Sequence, residues 1–164
     1  MPNNWVFFDA GVFIGALLKG DSRHVEARLL VEAARNGDLI ACTSVGVLSE
    51  VYGALTWVQA TPPHTPQEAE RAVALLVEAP SAIRVLSDGL SVTLRMLKLA
   101  ASHDLKARRI HDARHAATAL EADVHSVYTY DIDDWKVFKP DGIEIAGPDS
   151  VLVELNQRGD DNSR

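Results

Sequence analysis

Residues 5–18 read WVFFDAGVFIGALL, an apolar segment with a single carboxylate, Asp9, inside it. The four residues before Asp9 form a short apolar run that is typical of a strand buried on both faces. The residues that follow, as far as Leu18, predict a short helix that Lys19-Gly20 ends. The segment is too short to span a membrane, and no Lys or Arg precedes it as in an export signal. We therefore expect it to lie in the interior of a folded protein.

The rest of the chain repeats this alternation of strand and helix. Strands are predicted at residues 5–8, 39–42, 83–86, 125–128 and 143–145. Helices lie between them, with Ser44 and Thr65 as N-caps and Asn36-Gly37 as a helix end. This order predicts a three-layer α/β/α domain with a mainly parallel central sheet. We expect one domain over residues 1–156 and a disordered tail over residues 157–164, which contain no apolar side chain.

Composition narrows the class of protein. The 164 residues suit one domain, and 47% hydrophobic and 24% charged residues are ordinary for a globular protein. A net charge of −7 argues against a protein that coats duplex nucleic acid, but it suits an acidic site that holds divalent cations. The only cysteine, Cys42, cannot form an intramolecular disulfide, and we expect a cytoplasmic protein.

Two acidic residues stand out in the first half of the chain. Asp9 follows the first predicted strand, where a buried carboxylate is costly unless a metal ion or another partner compensates it. The alternative for Asp9 is an N-cap of the next helix. Glu50 lies in mid-helix with Gly46 and Gly53 one turn away on either side, which indicates a surface kept clear for a ligand or another backbone. The alternative is an exposed glutamate beside two packing glycines.

Two further acids come later. Asp112 opens an alanine-rich helix, where an aspartate is also a good cap. Asp131 follows the fourth predicted strand, where an aspartate is also a common turn residue. Asp133 and Asp134 lie so close to Asp131 that spacing alone does not choose among the three.

Asp9 and Asp131 each follow a predicted strand, and Glu50 and Asp112 lie on helices that follow connections from the sheet. In a parallel sheet these positions can converge on one edge. Carboxylates gathered there repel one another unless a cation lies between them. Oxygen ligands of this kind suit Mg²⁺ or Mn²⁺. The combined pattern predicts one divalent-cation site.

Several segments resemble the PIN-domain family, in particular VapC-type toxins of bacterial toxin–antitoxin pairs. FFDAGVFI resembles the opening strand with the first acid, and TSVGVLSEV resembles the helix with the second acid. HDARHAATALE and the later VYTYD resemble the Asp-Ala-x-x-Ala-x-Ala helix and the Thr-x-Asp strand end. The last match selects Asp131 over Asp133 and Asp134. One departure is Ala10-Gly11, because many members carry a small hydroxyl or amide residue directly after the first acid.

The resemblance implies an endoribonuclease that depends on Mg²⁺ or Mn²⁺ and acts as the toxin of a toxin–antitoxin pair. Its catalytic and metal-binding acids would be Asp9, Glu50, Asp112 and Asp131. We expect Asp9 and Asp112 to be direct ligands, and Glu50 and Asp131 to act through water or on a second ion. The resemblance also implies an RNA substrate, a small antitoxin partner and a homodimer.

RNA contacts are predicted in the densest basic stretch of the chain. Its candidates are Lys106, Arg108, Arg109 and Arg114, which could contact phosphates that flank the site. The alternative is a solvated loop. Arg23 and His24 form a second, smaller basic candidate.

Two rival functions stay open on the sequence alone. One is a catalytically inactive PIN-like fold that acts as an RNA- or protein-binding module. The other is a phosphoryl-transfer hydrolase with Asp9 as nucleophile, although such enzymes usually carry a second acid where this chain has Gly11.

Overall fold

The computed structural model describes residues 4–162 and has a five-stranded, entirely parallel sheet at its centre. The strands are β1 (Val6–Phe8), β2 (Ala41–Ser44), β3 (Arg84–Leu86), β4 (Ser126–Tyr128) and β5 (Glu144–Gly147). Their order across the sheet is β3-β2-β1-β4-β5. The predicted α/β fold is confirmed, and β1 is the central strand.

Helices flank this sheet. They are α1 (Ala10–Leu17), α2 (His24–Asn36), α3 (Val45–Thr56), α4 (Pro66–Val77), α5 (Leu90–Ser102), α6 (Ile110–Glu121), α7 (Ile132–Trp135) and α8 (Asp149–Asp161). Short 3₁₀ segments cover Ala107–Arg109 and Lys136–Asp141. Helices α1 to α4 pack on one another, whereas α5 packs on α6. Because crossovers between parallel strands are right-handed as a rule, we expect these two groups on opposite faces of the sheet.

The core is built around β1, as its apolar sequence predicts. Phe7 and Phe8 point to opposite faces, and both are fully buried. The Phe8 ring stacks on Tyr128 with centroids 5.5 Å apart, and the Phe7 ring lies 5.8 Å from Trp135. Because β1 is buried on both faces, the position of Asp9, the residue that follows it, is fixed by the packing of the strand.

The predicted helix caps are present. Ser44 Oγ accepts a hydrogen bond from the Val47 amide at 3.1 Å, which starts α3 directly at the end of β2. Thr65 and Glu68 form a reciprocal capping box at the start of α4. Gly37 ends α2 in the left-handed conformation with φ of 83°, where a side chain would be strained. Local sequence therefore sets these helix boundaries.

Two expectations about local structure are wrong. Helix α6 begins at Ile110 rather than at Asp112, so Asp112 lies in its first turn and does not cap it. The tail is helical through Asp161 instead of disordered from residue 157, while residues 163–164 lie outside the described part. Arg158 explains part of this helix, because it pairs with Glu154 one turn back at 2.6 Å and with Asp133 at 3.3 Å. Between residues 4 and 162, the helices are too short or too polar to cross a bilayer.

Candidate active site

The candidate site lies where the order of strands reverses. The chain leaves β1 toward β2 on one side, whereas β4 pairs with β1 on the other side. A reversal of this kind opens a crevice beyond the carboxyl ends of the strands. Asp9 follows β1 at this crevice, and Thr129 follows β4 beside it. The topology thus brings together two parts of the chain that are far apart in sequence.

Asp9 is held by three hydrogen bonds. Its Oδ1 accepts from the Ala10 amide at 2.9 Å, so the predicted cap of α1 exists. Its Oδ2 accepts from Thr129 Oγ1 at 2.7 Å and from Trp135 Nε1 at 2.9 Å. The side chain is buried, and these donors supply the compensation that a buried carboxylate needs. Capping is therefore one part of a larger role for Asp9.

Asp112 and Asp131 lie close enough to Asp9 to interact with its charge. Burial raises the pKa of Asp131 to about 6, and the charges of Asp9, Asp134 and Asp112 add to the rise. Burial also raises the pKa of Asp112, with contributions from Asp134 and Asp9 and against a hydrogen bond from Arg109. These acids crowd one region, where ionising all of them together is unfavourable.

The structure also separates the three aspartates near residue 131. The Asp131 backbone amide donates to Thr129 Oγ1 at 3.0 Å, and its side chain makes no capping bond to α7. Asp133 points away, since Lys136 holds it at 2.7 Å and lowers its pKa. Asp134 joins the crowded acids and lies 3.6 Å from the Arg109 guanidinium. Asp131 and Asp134, but not Asp133, are thus placed beside Asp112.

Glu50 occupies the neighbouring side of the site. Its Oε2 accepts a hydrogen bond from His115 Nε2 at 2.8 Å, and this bond lowers the pKa of Glu50. Glu50, Asp112 and His115 line one cavity of about 410 Å³, together with Gly46, Ser49, Arg108, His111 and Arg114. The neighbouring charges that act on the pKa of Glu50 are those of His115 and His111 rather than those of the aspartates. Glu50 thus shares a cavity with Asp112 and stands apart from the cluster around Asp9.

The glycines that flank Glu50 differ in their surroundings. A Cβ on Gly46 would lie 3.0 Å from Arg114 Cζ, so the missing side chain makes room for this guanidinium. A Cβ on Gly53 would meet nothing within 4 Å. Gly46 therefore packs against the Arg114 side chain, as in the alternative of a packing glycine, and not against a ligand or another backbone.

Most of the predicted RNA-contacting cations already have acidic partners. Arg109 pairs with Asp112 at 3.3 Å, and Lys106 pairs with Asp104 at 3.1 Å. Arg114 is held by a hydrogen bond from its Nε to Asp88 at 2.6 Å. Arg108 is exposed at the cavity and has no ion pair with any residue from 4 to 162. It is the member of the set whose charge is most available to a ligand.

The chemistry of this site fits a hard divalent cation. Asp9, Asp112 and Asp131 offer carboxylate oxygens, and a cation between them would offset the burial and the mutual repulsion that together raise the pKa values of Asp112 and Asp131. Within the described residues, no three carboxylate, imidazole or thiol groups are already arranged around one point as metal ligands. These carboxylates therefore fit a cation by their chemistry and not by a ready-made coordination geometry.

Sequence reasoning missed three residues of this site. Thr129 and Trp135 both donate to Asp9, and His115 donates to Glu50. Thr129 is the threonine of the Thr-x-Asp match, so the sequence pattern marked its position but did not predict that it donates to Asp9. Trp135 and His115 carried none, because only the fold reveals which distant carboxylate each one meets.

Comparison with known proteins gives a consistent result. The sequence model of the PIN-domain family matches residues 6–139 of this chain. VapC20 from Mycobacterium tuberculosis, described as a toxin that cleaves the sarcin–ricin loop, has a similar structure, and its sequence is 22% identical. The two structures align with a TM-score of 0.66 over 87% of this chain and 99% of VapC20. VapBC-1 from nontypeable Haemophilus influenzae is 17% identical with a TM-score of 0.57 over 83% of this chain and 93% of its own.

A third solved structure, VapBC2 from Rickettsia felis bound to a promoter DNA fragment, is 14% identical with a TM-score of 0.54 over 83% of this chain and 92% of its own. At these identities the likeness concerns the fold. The sequence has no significant match among curated proteins. Since the family model covers most of the chain, this chain belongs to the PIN-domain family, and its structural neighbours are VapC toxins.

Proposed function

We propose that this protein is an endoribonuclease that depends on Mg²⁺ or Mn²⁺. The observation that carries this proposal is the crowding of Asp112 and Asp131 against the buried carboxylate of Asp9 at the strand reversal. Like-charged carboxylates that interact in a buried region are unfavourable together, and a bound cation would offset that cost. Family membership supports nuclease chemistry at that position.

The reaction would be hydrolysis of an RNA phosphodiester. A water oxygen attacks phosphorus and the bond to the 3′ oxygen breaks, which leaves a 5′-phosphate and a 3′-hydroxyl. Bound Mg²⁺ or Mn²⁺ supplies charge neutralisation and an acidified water. Asp9 and Asp112 would hold the cation directly, while Glu50 and Asp131 would act through water or on a second ion. Thr129 and Trp135 would keep Asp9 in place through its Oδ2 atom.

RNA would cross the site between two arginines, Arg108 and Arg23. Arg108 lies at the cavity that Glu50 and Asp112 line. Arg23 lies near Asp131, because its charge lowers the pKa of Asp131 against the larger effect of burial. Positive charges near an acidic centre would hold phosphates that flank the scissile bond.

We further propose a small antitoxin as partner, a homodimer and a cytoplasmic location. The antitoxin draws support from the neighbours, since the H. influenzae and R. felis structures are VapBC toxin–antitoxin pairs. An inactive PIN-like fold that binds RNA or protein is the alternative, and Ala10-Gly11 in place of a polar residue favours it.

A cleavage assay separates these two functions. Wild type, Asp9→Asn and Asp133→Asn would be incubated with total bacterial RNA and with a sarcin–ricin loop hairpin, with Mn²⁺ or with EDTA. We expect Mn²⁺-dependent cleavage by the wild type and by Asp133→Asn, because Asp133 is tied to Lys136 outside the site. We expect a loss of at least about a hundredfold for Asp9→Asn. Equal activity of wild type and Asp9→Asn would contradict the proposal.

A further inference from the structure

His115 is a buried histidine in an apolar part of the molecule. It lies on α6 one turn after Asp112 and is only 4% exposed. Its helix neighbours Ala113 and Ala116 are fully buried, and its ring lies 6.5 Å from the Phe7 ring. An aliphatic side chain would fill such a place at lower cost, because burying an imidazole is unfavourable unless it is hydrogen-bonded.

Among the described residues, the His115 ring makes one hydrogen bond, which is to Glu50. Its Nε2 lies 2.8 Å from Glu50 Oε2, and since a carboxylate only accepts, Nε2 carries the hydrogen. Its Nδ1 is buried and has no partner among residues 4–162. The single bond to Glu50 therefore has to offset the burial of the whole polar ring.

The hydrogen bond from His115 restrains the Glu50 side chain. Its side chain is about half exposed at the rim of the cavity, where a glutamate would otherwise sample many rotamers. The ring of His115 is immobilised by packing, so it holds the carboxylate in one place. Glu50 lies on α3 and Asp112 on α6, and the bond ties these two helices together at the cavity that both acids line.

We propose that His115 is a positioning residue, which orients the Glu50 carboxylate toward a cation shared with Asp112. The inference rests on the proposed metal site. It assigns to this chain a hydrogen-bond donor that supports Glu50, just as Thr129 and Trp135 support Asp9.

Three variants of the full-length chain test this role. His115→Leu removes the donor and keeps an apolar side chain, whereas His115→Gln keeps an N–H donor. Thr118→Val is the matched control, because Thr118 is buried on the same helix and its hydroxyl donates to the Arg114 carbonyl one turn back. The measurements are Mn²⁺ affinity by calorimetry, the RNA cleavage rate and the thermal midpoint.

We expect His115→Leu to lose about tenfold in Mn²⁺ affinity or more, and His115→Gln and Thr118→Val to stay within about threefold of the wild type. We also expect the double variant Glu50→Gln/His115→Leu to bind Mn²⁺ as Glu50→Gln does, because the ring acts through Glu50. In the metal-free wild type, ¹⁵N NMR should place the ring hydrogen of His115 on Nε2.

Several results would overturn the inference. They are wild-type affinity in His115→Leu, an equal loss in Thr118→Val, additive losses in the double variant, or a ring hydrogen on Nδ1. Wild type that binds Mn²⁺ but cleaves no RNA would refute the proposed function and leave the positioning of Glu50 supported by the affinities. Wild type that binds no Mn²⁺ would refute both.

Discussion

Asp9 shows at the scale of a single residue how this protein keeps a charge inside its core. Its Oδ2 accepts from Thr129 and Trp135, which lie 120 and 126 positions further along the chain. Hydrogen bonds to a charged group are stronger than neutral ones, and removing a donor leaves the buried carboxylate under-compensated. The stability of the fold is therefore linked to the same bonds that orient the acid.

Thr129→Val should measure this link. The substitution keeps the shape of the side chain and removes the hydroxyl that donates to Asp9 and accepts from the Asp131 amide, so we expect a loss of about 2 kcal/mol in the free energy of unfolding. Thr118→Val should lose about 1 kcal/mol, since its hydroxyl bonds to an uncharged backbone carbonyl. Urea unfolding of both variants gives the comparison. Equal losses would mean that the bond to Asp9 has no special weight.

Asp131 makes the stability of the metal-free protein depend on pH. Its pKa is raised from 3.8 to about 6 on folding, chiefly by burial, so the folded state keeps its proton to higher pH than the unfolded state. Stability should fall as the pH rises through this window, because ionised Asp131 is penalised only in the folded protein. Below the window both states are protonated and the penalty is absent.

We therefore expect Asp131→Asn to raise the thermal midpoint at about pH 8 and to leave it nearly unchanged at about pH 4. The measurement is a thermal melt in EDTA at both pH values. A difference that is the same at both pH values would contradict the assignment. Asp133→Asn is the control, and because the pKa of Asp133 is lowered by Lys136, it should not stabilise the protein at the higher pH.

At the scale of elements, α3 shows that two glycines on one helix can have different reasons. A Cβ at position 46 would press on the Arg114 guanidinium, which is itself held by Asp88. A Cβ at position 53 would meet open space. Gly46 thus permits the contact of α3 with α6, whereas Gly53 only weakens the helix.

Gly53→Ala should accordingly stabilise the protein by about 1 kcal/mol, the difference in helix propensity. Gly46→Ala gains the same propensity but has to displace Arg114, so we expect it to be less stable than Gly53→Ala by roughly 1 kcal/mol or more. Thermal or urea unfolding compares the two variants. Equal stabilities would show that Arg114 moves aside freely.

The start of α2 places a free cation beside the site. The Arg23 guanidinium lies 4.4 Å from the centroid of the Tyr130 ring, and Tyr130 is fixed by a 2.8 Å bond to Glu26. Arg23 has no ion pair within the described part of the chain, whereas Arg28 on the same helix pairs with Glu32 at 3.1 Å. Stacking thus orients Arg23 and leaves its donors available.

Arg23→Ala should weaken RNA binding and reduce the slope of log affinity against log salt by about one unit, the value of one phosphate contact. Arg28→Ala should change neither. Fluorescence anisotropy with a labelled single-stranded RNA in EDTA measures both quantities without cleavage. An identical salt slope in Arg23→Ala and the wild type would remove Arg23 from the RNA path.

At the scale of the whole molecule, the sequence was a good guide to the fold because its signals are local. Alternating apolar runs identified all five strands, and Ser44 and Thr65 marked the starts of α3 and α4. The polar C-terminal stretch misled, because its helix is stabilised by ion pairs such as that of Arg158 with Asp133. No rule based on apolar content detects such a helix.

The candidate site could be predicted only in part, because some of its contacts join residues that are distant in the sequence. Asp9 stood out as a carboxylate in an apolar segment, and its position at the strand reversal agrees with the prediction. The donors to Asp9 and Glu50 depend on contacts across the fold, and a sequence pattern does not carry them. The ligation of a cation by Asp9, Glu50, Asp112 and Asp131 stays a prediction.

Calorimetric titration of the full-length protein with Mn²⁺ at about pH 8 tests that prediction most directly, with wild type, Asp112→Asn and Asp133→Asn side by side. We expect the wild type and Asp133→Asn to bind Mn²⁺ with the same affinity, since Asp133 is tied to Lys136. We expect Asp112→Asn to bind at least about tenfold more weakly. Absence of binding by the wild type, or equal affinity in Asp112→Asn and Asp133→Asn, would contradict the account.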